Sequence, residues 1–134
     1  MSNILRTQFI AEIGTGDRWE EFFQDWVESA PAGGEHQKQR VTCPENATTV
    51  LWAATGPLQD FCAFCARIVS GANVVVRFGD GSNTVDLQLT SVGPMLQFGD
   101  QIGFDGAALA AITSISVVKA DETGDTVVEF MVAR

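Results

Sequence analysis

Four residues of this chain are of the types that do redox or metal chemistry: His36, Cys43, Cys62 and Cys65. Cys62-Ala63-Phe64-Cys65 is a CxxC, the spacing of dithiol oxidoreductases and of one half of many zinc sites. A redox pair places its first cysteine at a helix N-terminus, where the dipole lowers the thiol pKa. Here the pair is embedded in an apolar run, Phe61 to Val69, with no strand-then-helix pattern around it. If that run is extended, Cys62 and Cys65 point to opposite faces of a sheet, which works against a shared site. A structural zinc needs four ligands, and Cys43 and His36 complete a set by count only, since the spacing follows no common zinc motif. Buried, unreactive thiols are the expectation, with no metal and no cofactor. An odd number of cysteines also fits a reducing compartment better than a disulfide scaffold.

The other candidates for chemistry reduce to turns and loops. His36 is the only histidine and falls in the polar, glycine-rich stretch Ala30 to Gln39, read as a loop. A general base needs a nucleophile and an orienting acid beside it, and no G-x-S-x-G marks a serine. Asp80, Asn83 and Asp86 invite calcium but miss the EF-hand spacing, and Gly79-Asp80-Gly81 is explained by a turn that needs positive φ. Neither Gly14-Thr15-Gly16 nor Gly79-Asp80-Gly81 is followed by the Lys-Ser or Lys-Thr of a phosphate loop. Asn46-Ala47-Thr48 has the form of a glycosylation acceptor, which carries no weight without a secretion signal. No catalytic residue is assigned, and the chain is expected not to be an enzyme.

The elements that hold these residues are mostly strands. Val74–Phe78, the turn Gly79–Ser82 and Thr84–Leu89 read as strand, turn, strand. Ile115–Val118 and Thr126–Val132 repeat the device around Glu122–Asp125. Gln39–Cys43, Thr48–Ala54, Pro94–Phe98 and Gln101–Phe104 add short strands, punctuated by glycines. Phe61–Val69 is apolar on both faces, as a doubly buried strand or a buried helix would be. Ala107–Ala111 reads as a helical turn or a loop. The predicted fold is mainly β: an antiparallel β-sandwich or jelly-roll-like barrel with one short amphipathic helix near the N-terminus.

That helix is placed at about 17–29. Asp17 and Glu20 have capping-box spacing, and Trp19, Phe22, Phe23 and Trp26 fall at i, i+3, i+4 and i+7. Residues 1–13, with Ile4, Leu5, Phe9, Ile10 and Ile13, read as a strand or an extended arm. A single domain is expected, with arm and helix over 1–38 and the sandwich over 39–134. The partner-binding candidates are Ile4, Phe9, Ile10, Trp19, Phe22, Phe23 and Trp26, because aromatic anchors dominate interfaces and exposed strand edges recruit neighbours.

Charge narrows the partners. The net charge is −9, with only two lysines, Lys38 and Lys119, and scattered arginines, which argues against a nucleic-acid groove. No apolar run approaches the roughly 20 residues of a membrane span. The N-terminus lacks the charged and apolar regions of a signal peptide.

The run Ala72-Asn73-Val74-Val75-Val76-Arg77-Phe78-Gly79-Asp80-Gly81-Ser82-Asn83-Thr84-Val85 resembles the β-hairpins of small tailed-phage virion proteins. Ile112–Val118 continued through Gly124–Phe130 looks similar. Such proteins include capsid decoration (cement) proteins, head spikes and fibre or tail accessory domains. The resemblance covers residues 40–134. It implies a structural virion protein, made in the host cytoplasm, that stabilises the head by binding neighbouring capsid subunits. The partners it implies are the major capsid protein or other virion proteins, together with copies of itself, a trimer being the natural arrangement. A carbohydrate- or receptor-binding β-module of a tail or fibre is the alternative, and a small zinc protein using the three cysteines and His36 is a further one.

Overall fold

The period-two alternation of the valine-rich runs carries into strands of alternating burial. The structure, a computed structural model, describes residues 5–29, 36–54, 63–98, 102–104, 107–109 and 111–133. Among the described residues there are twelve strands and no helix. They are β1 (Leu5–Thr15), β2 (Arg18–Ser29), β3 (His36–Cys43), β4 (Ala47–Ala53), β5 (Ala63–Ser70) and β6 (Val74–Gly79). The second half holds β7 (Thr84–Leu89), β8 (Met95–Phe98), β9 (Ile102–Phe104), β10 (Ala107–Leu109), β11 (Ser114–Lys119) and β12 (Thr126–Ala133).

Eight of these strands nest as antiparallel pairs: β6 with β7, β5 with β8, β4 with β11, and β3 with β12. Each pair encloses the next in the sequence, like one long hairpin closed at the β6–β7 turn. The long hairpin is also folded across itself, because β12 pairs with β5 and β11 with β6. Two four-stranded antiparallel sheets result, in the orders β3-β12-β5-β8 and β4-β11-β6-β7.

One core joins the sheets. Phe64 of β5 meets Phe78 of β6 edge to face at 5.7 Å, and tilts over Phe130 of β12 at 6.3 Å. Val76, Ile115 and Val117 from one sheet and Val128 and Val132 from the other complete its centre. Their neighbours along each strand face outward, as the pleat demands. Where alternation fails, a bulge accounts for it. Leu51 and Trp52 are consecutive and both buried, and the β4–β11 register slips at that point, from Ile115↔Trp52 to Ser116↔Val50.

The β6–β7 turn is built by Asp80, whose Oδ1 accepts hydrogen bonds from the backbone N–H groups of Ser82 (2.9 Å) and Asn83 (2.7 Å). Gly81 follows at φ +95°, a value open to glycine. This is the turn expected from the sequence. Phe61–Val69 resolves as a strand in its described part, within β5. Ala107–Leu109 is a strand paired with β9, where a helical turn or loop was expected. His36 opens β3 opposite Ala133, so it lies on a strand and not in a loop.

The largest correction is at the N-terminus. There is no helix at 17–29; Arg18–Ser29 is a strand, paired along its length with Leu5–Thr15. Thr15 and Arg18 face each other across the two-residue loop Gly16-Asp17, and Gly16 has φ +62° while Asp17 does not have positive φ. A glycine first in a two-residue loop is the type II′ choice, whose twist suits a hairpin. The helical spacing has a physical cause in the strand itself. The register slips beside Ala11, leaving Phe22 without an opposite residue, and such a bulge shifts parity by one. Trp19 opposite Gly14 and Trp26 opposite Gln8 therefore occupy positions on one face of the ribbon, although seven residues separate them. Two helical turns and one bulged strand produce the same i, i+7 coincidence.

Candidate functional site

The outward face of sheet β3-β12-β5-β8 gathers polar and apolar side chains in register. On β12, Val128, Phe130 and Val132 enter the core, so Glu129 and Met131 face away from it. Glu129 lies opposite Arg40 on β3 and Arg67 on β5. Its Oε2 accepts from Arg40 at 3.0 Å, and its Oε1 accepts from Arg67 Nε at 3.2 Å and Nη2 at 3.0 Å. The Arg40 guanidinium holds the Glu129 carboxyl below its ordinary value, and Arg67 and Lys38 act in the same sense. One step along the strands, Met131 lies between Lys38 and Cys65, and Cys65 lies opposite Leu96 of β8. Lys38, Cys65, Arg67, Pro94, Glu129 and Met131 line a cleft of about 280 Å³ on this face.

Three of the chain's eight basic residues, Lys38, Arg40 and Arg67, thus sit on one sheet face with a single carboxylate among them. The chain as a whole carries −9. Each guanidinium has five N–H donors and Glu129 engages only part of them. Arg40 and Arg67 remain 58% and 62% exposed, so this face can offer cations to a carboxylate-bearing partner.

The cysteines and the histidine are not brought together. Cys43 points into the core and Cys65 lies on the outward face, while Cys62 falls outside the described residues. His36 and Cys43 open and close β3, seven residues apart, which is about 24 Å of strand. Desolvation by burial pushes both the Cys43 and Cys65 thiols up, away from the thiolate that redox or ligand chemistry needs. Among the described residues no group of three His, Cys, Asp or Glu side chains is placed to hold a metal ion. Asp86, one of the three calcium candidates, forms a paired ion bridge to Arg77 at 2.8 and 2.9 Å.

Six of the seven partner-binding candidates map to the N-terminal hairpin. Phe9 and Ile10 lie on β1, and Trp19, Phe22, Phe23 and Trp26 on β2; Ile4 lies outside the described residues. Ile10 is 55% exposed. Strands β1 and β2 form a two-stranded sheet of their own, and the hydrogen-bonded ladders of the two larger sheets do not include them. Sequence reasoning placed no residue of the Arg40–Glu129–Arg67 triad, because those three are scattered over 89 positions and only the strand register assembles them. The Gly16-Asp17 pair was the available signal for the hairpin, since Gly-Asp between two apolar-rich segments is a two-residue turn pattern.

No protein-family model matches this chain, and comparison with curated proteins and with solved structures gives no match.

Proposed function

We propose that this chain is a structural virion protein of a tailed phage, a capsid decoration or cement protein that binds neighbouring capsid subunits. In this reading the nested strand pairs form a jelly-roll sandwich, an architecture used by viral capsid proteins, lectin domains and cupins alike. The resemblance of the Ala72–Val85 run to the β-hairpins of virion proteins selects the first of these uses.

The observation that carries the proposal is the N-terminal hairpin. Its strands run 11 and 12 residues yet add to neither large sheet. An isolated two-stranded hairpin is marginal in water and gains stability when a further surface covers it. Long strands with open edges are also templates for pairing with another chain. A protein that keeps such an element gains from it in assembly. Its partners are the major capsid protein or other virion proteins, and an interface of about 1,600 Å² repeated by symmetry holds the particle together.

Fractionation tests this directly. Particles from the source culture are banded on a density gradient and probed with an antibody to the chain. Its presence in the particle band at a fixed ratio to the shell protein is the expected result. Its confinement to the soluble fraction overturns the proposal.

A further inference from the structure

We infer that the cationic outward face of sheet β3-β12-β5-β8 is the docking site for the N-terminal hairpin of a second copy of this chain. This rests on the assembly reading above and names its contact surface.

Residues 5–29 carry six acids against two arginines, Arg6 and Arg18. Of those acids Glu12, Asp17, Glu20 and Glu21 are exposed, and all four lie in the half of the hairpin near its turn. The sheet face carries Lys38, Arg40 and Arg67 against Glu129 alone. A strongly acidic chain thus holds one locally cationic sheet face and one strongly acidic ribbon. Their attraction is the complementarity that fixes register and partner in protein interfaces.

The geometry agrees with the charge. The row Lys38–Met131–Cys65–Leu96 gives the face an apolar centre with a cation at its β3 edge. The row Arg40–Glu129–Arg67 lies beside it and supplies two fork-shaped donors. The ribbon brings carboxylates together with Ile10, an exposed apolar residue. Glu129 orients both guanidinium groups while neutralising only one of them.

The occupant is a second copy because the described residues of the single chain leave the cations of this face accessible. Arg40 and Arg67 keep 58% and 62% of their side-chain surface accessible in the single chain, and Lys38 and Pro94 line the cleft beside them. Hairpin-to-sheet contact joins unlike surfaces, so repeated copies close into a ring when the rotation per copy permits it.

The test uses the unmodified full chain and its lysine chemistry. Only Lys38 and Lys119 are lysines, and the Lys119 side chain is 0% exposed, so Lys38 is the accessible lysine amine. Equal amounts of unlabelled and ¹⁵N-labelled chain are mixed under exchange conditions and treated with a zero-length carbodiimide, which joins amines to carboxylates in contact. Mass spectrometry of the digest is expected to show Lys38 linked to a hairpin acid, with about half of the pairs of mixed isotope. Pairs of one isotope only mean that the chain's own hairpin docks there and overturn the inference. Absence of any Lys38–hairpin link also overturns it. An Arg40→Glu/Arg67→Glu variant is expected to lose about tenfold or more in self-affinity, regained when Glu12→Arg and Glu21→Arg, which share the face of Ile10, are added. Loss without recovery in the swapped chain counts against the pairing. A chain found in the particle band that shows no such link keeps the virion reading and loses this one.

Discussion

The ammonium of Lys119 lies 2.8 Å from Asp121 Oδ1, with the lysine side chain 0% exposed and that of the aspartate 53% exposed. Lys119 occupies the inward position after Ile115 and Val117 on β11, so alternation directs a charged side chain toward the core. Its head is answered by Asp121 and by Thr123 Oγ1, also at 2.8 Å. Thr123 donates from both its backbone N–H and its hydroxyl to the same carboxylate oxygen. Asn46 N–H donates to the Asp121 carbonyl, and Gly124 N–H to Glu45 Oε2, tying the β3–β4 and β11–β12 connections together.

Removing Asp121 strands a buried cation, which costs more than removing the pair. Asp121→Ala is expected to lower the melting temperature clearly. Adding Lys119→Met should return most of the loss, because an apolar chain of similar length replaces the ammonium. Thermal unfolding of the two single variants and the double variant checks this; additive losses contradict it.

The same contacts set a pH dependence. Hydrogen bonds from Lys119 and Thr123 hold the Asp121 carboxyl down at about 2, against an ordinary value of 3.8. The folded state binds its proton less readily than the unfolded chain, so the stabilisation is complete above about pH 4 and fades as pH falls toward 2. Glu129 is shifted in the same direction by Arg40 and Arg67. Urea unfolding at pH 5 and at pH 2.5 should show a smaller loss on acidification for Asp121→Asn than for the parent. An equal loss in both assigns acid sensitivity elsewhere.

Phe64 is the residue where the two sheets meet, fully buried between Phe78 and Phe130. Phe64→Ala leaves a cavity that the flanking strands cannot close, at a cost of about 3–5 kcal/mol. Denaturant titration gives the value directly, and a cost below about 1 kcal/mol contradicts a single core shared by both sheets.

Two glycines separate backbone strain from steric exclusion. Both Gly71 (φ +102°) and Gly81 (φ +95°) have backbone angles that L residues rarely adopt. A Cβ on Gly81 meets nothing within 4 Å, whereas one on Gly71 lies 2.7 Å from the Asp125 carbonyl oxygen and from Thr126 Cα. Gly81→Ala should cost about 1–3 kcal/mol from strain alone. Gly71→Ala should cost more, since the β5–β6 connection is pressed against the start of β12. Equal costs measured in urea count against that packing.

The strands of the second half were legible because each carries its own period-two pattern and its own turn chemistry. Val74–Gly79 and Thr84–Leu89 follow the expected spans closely, and Asp80 and Gly81 build the turn between them. Strand order was not legible, since nothing local says that β12 inserts between β3 and β5. The N-terminal segment misled because a bulge at Phe22 brings Trp19 and Trp26 to one face at the i, i+7 spacing of a helix, and because Asp17 serves equally well in a turn and as a helix cap. Trp and Phe at four of eight positions were the countersign, as aromatics favour strands. The cationic face was invisible because Lys38, Arg40, Arg67 and Glu129 meet only through register.

The central claim is that this chain assembles through its N-terminal hairpin. Native mass spectrometry of the full chain and of a chain beginning at His36, at the same micromolar concentration, tests it most directly. The account predicts a metal-free closed oligomer for the full chain and a folded monomer for the shortened one. A full chain that remains monomeric, or a shortened chain that keeps the oligomer, contradicts it.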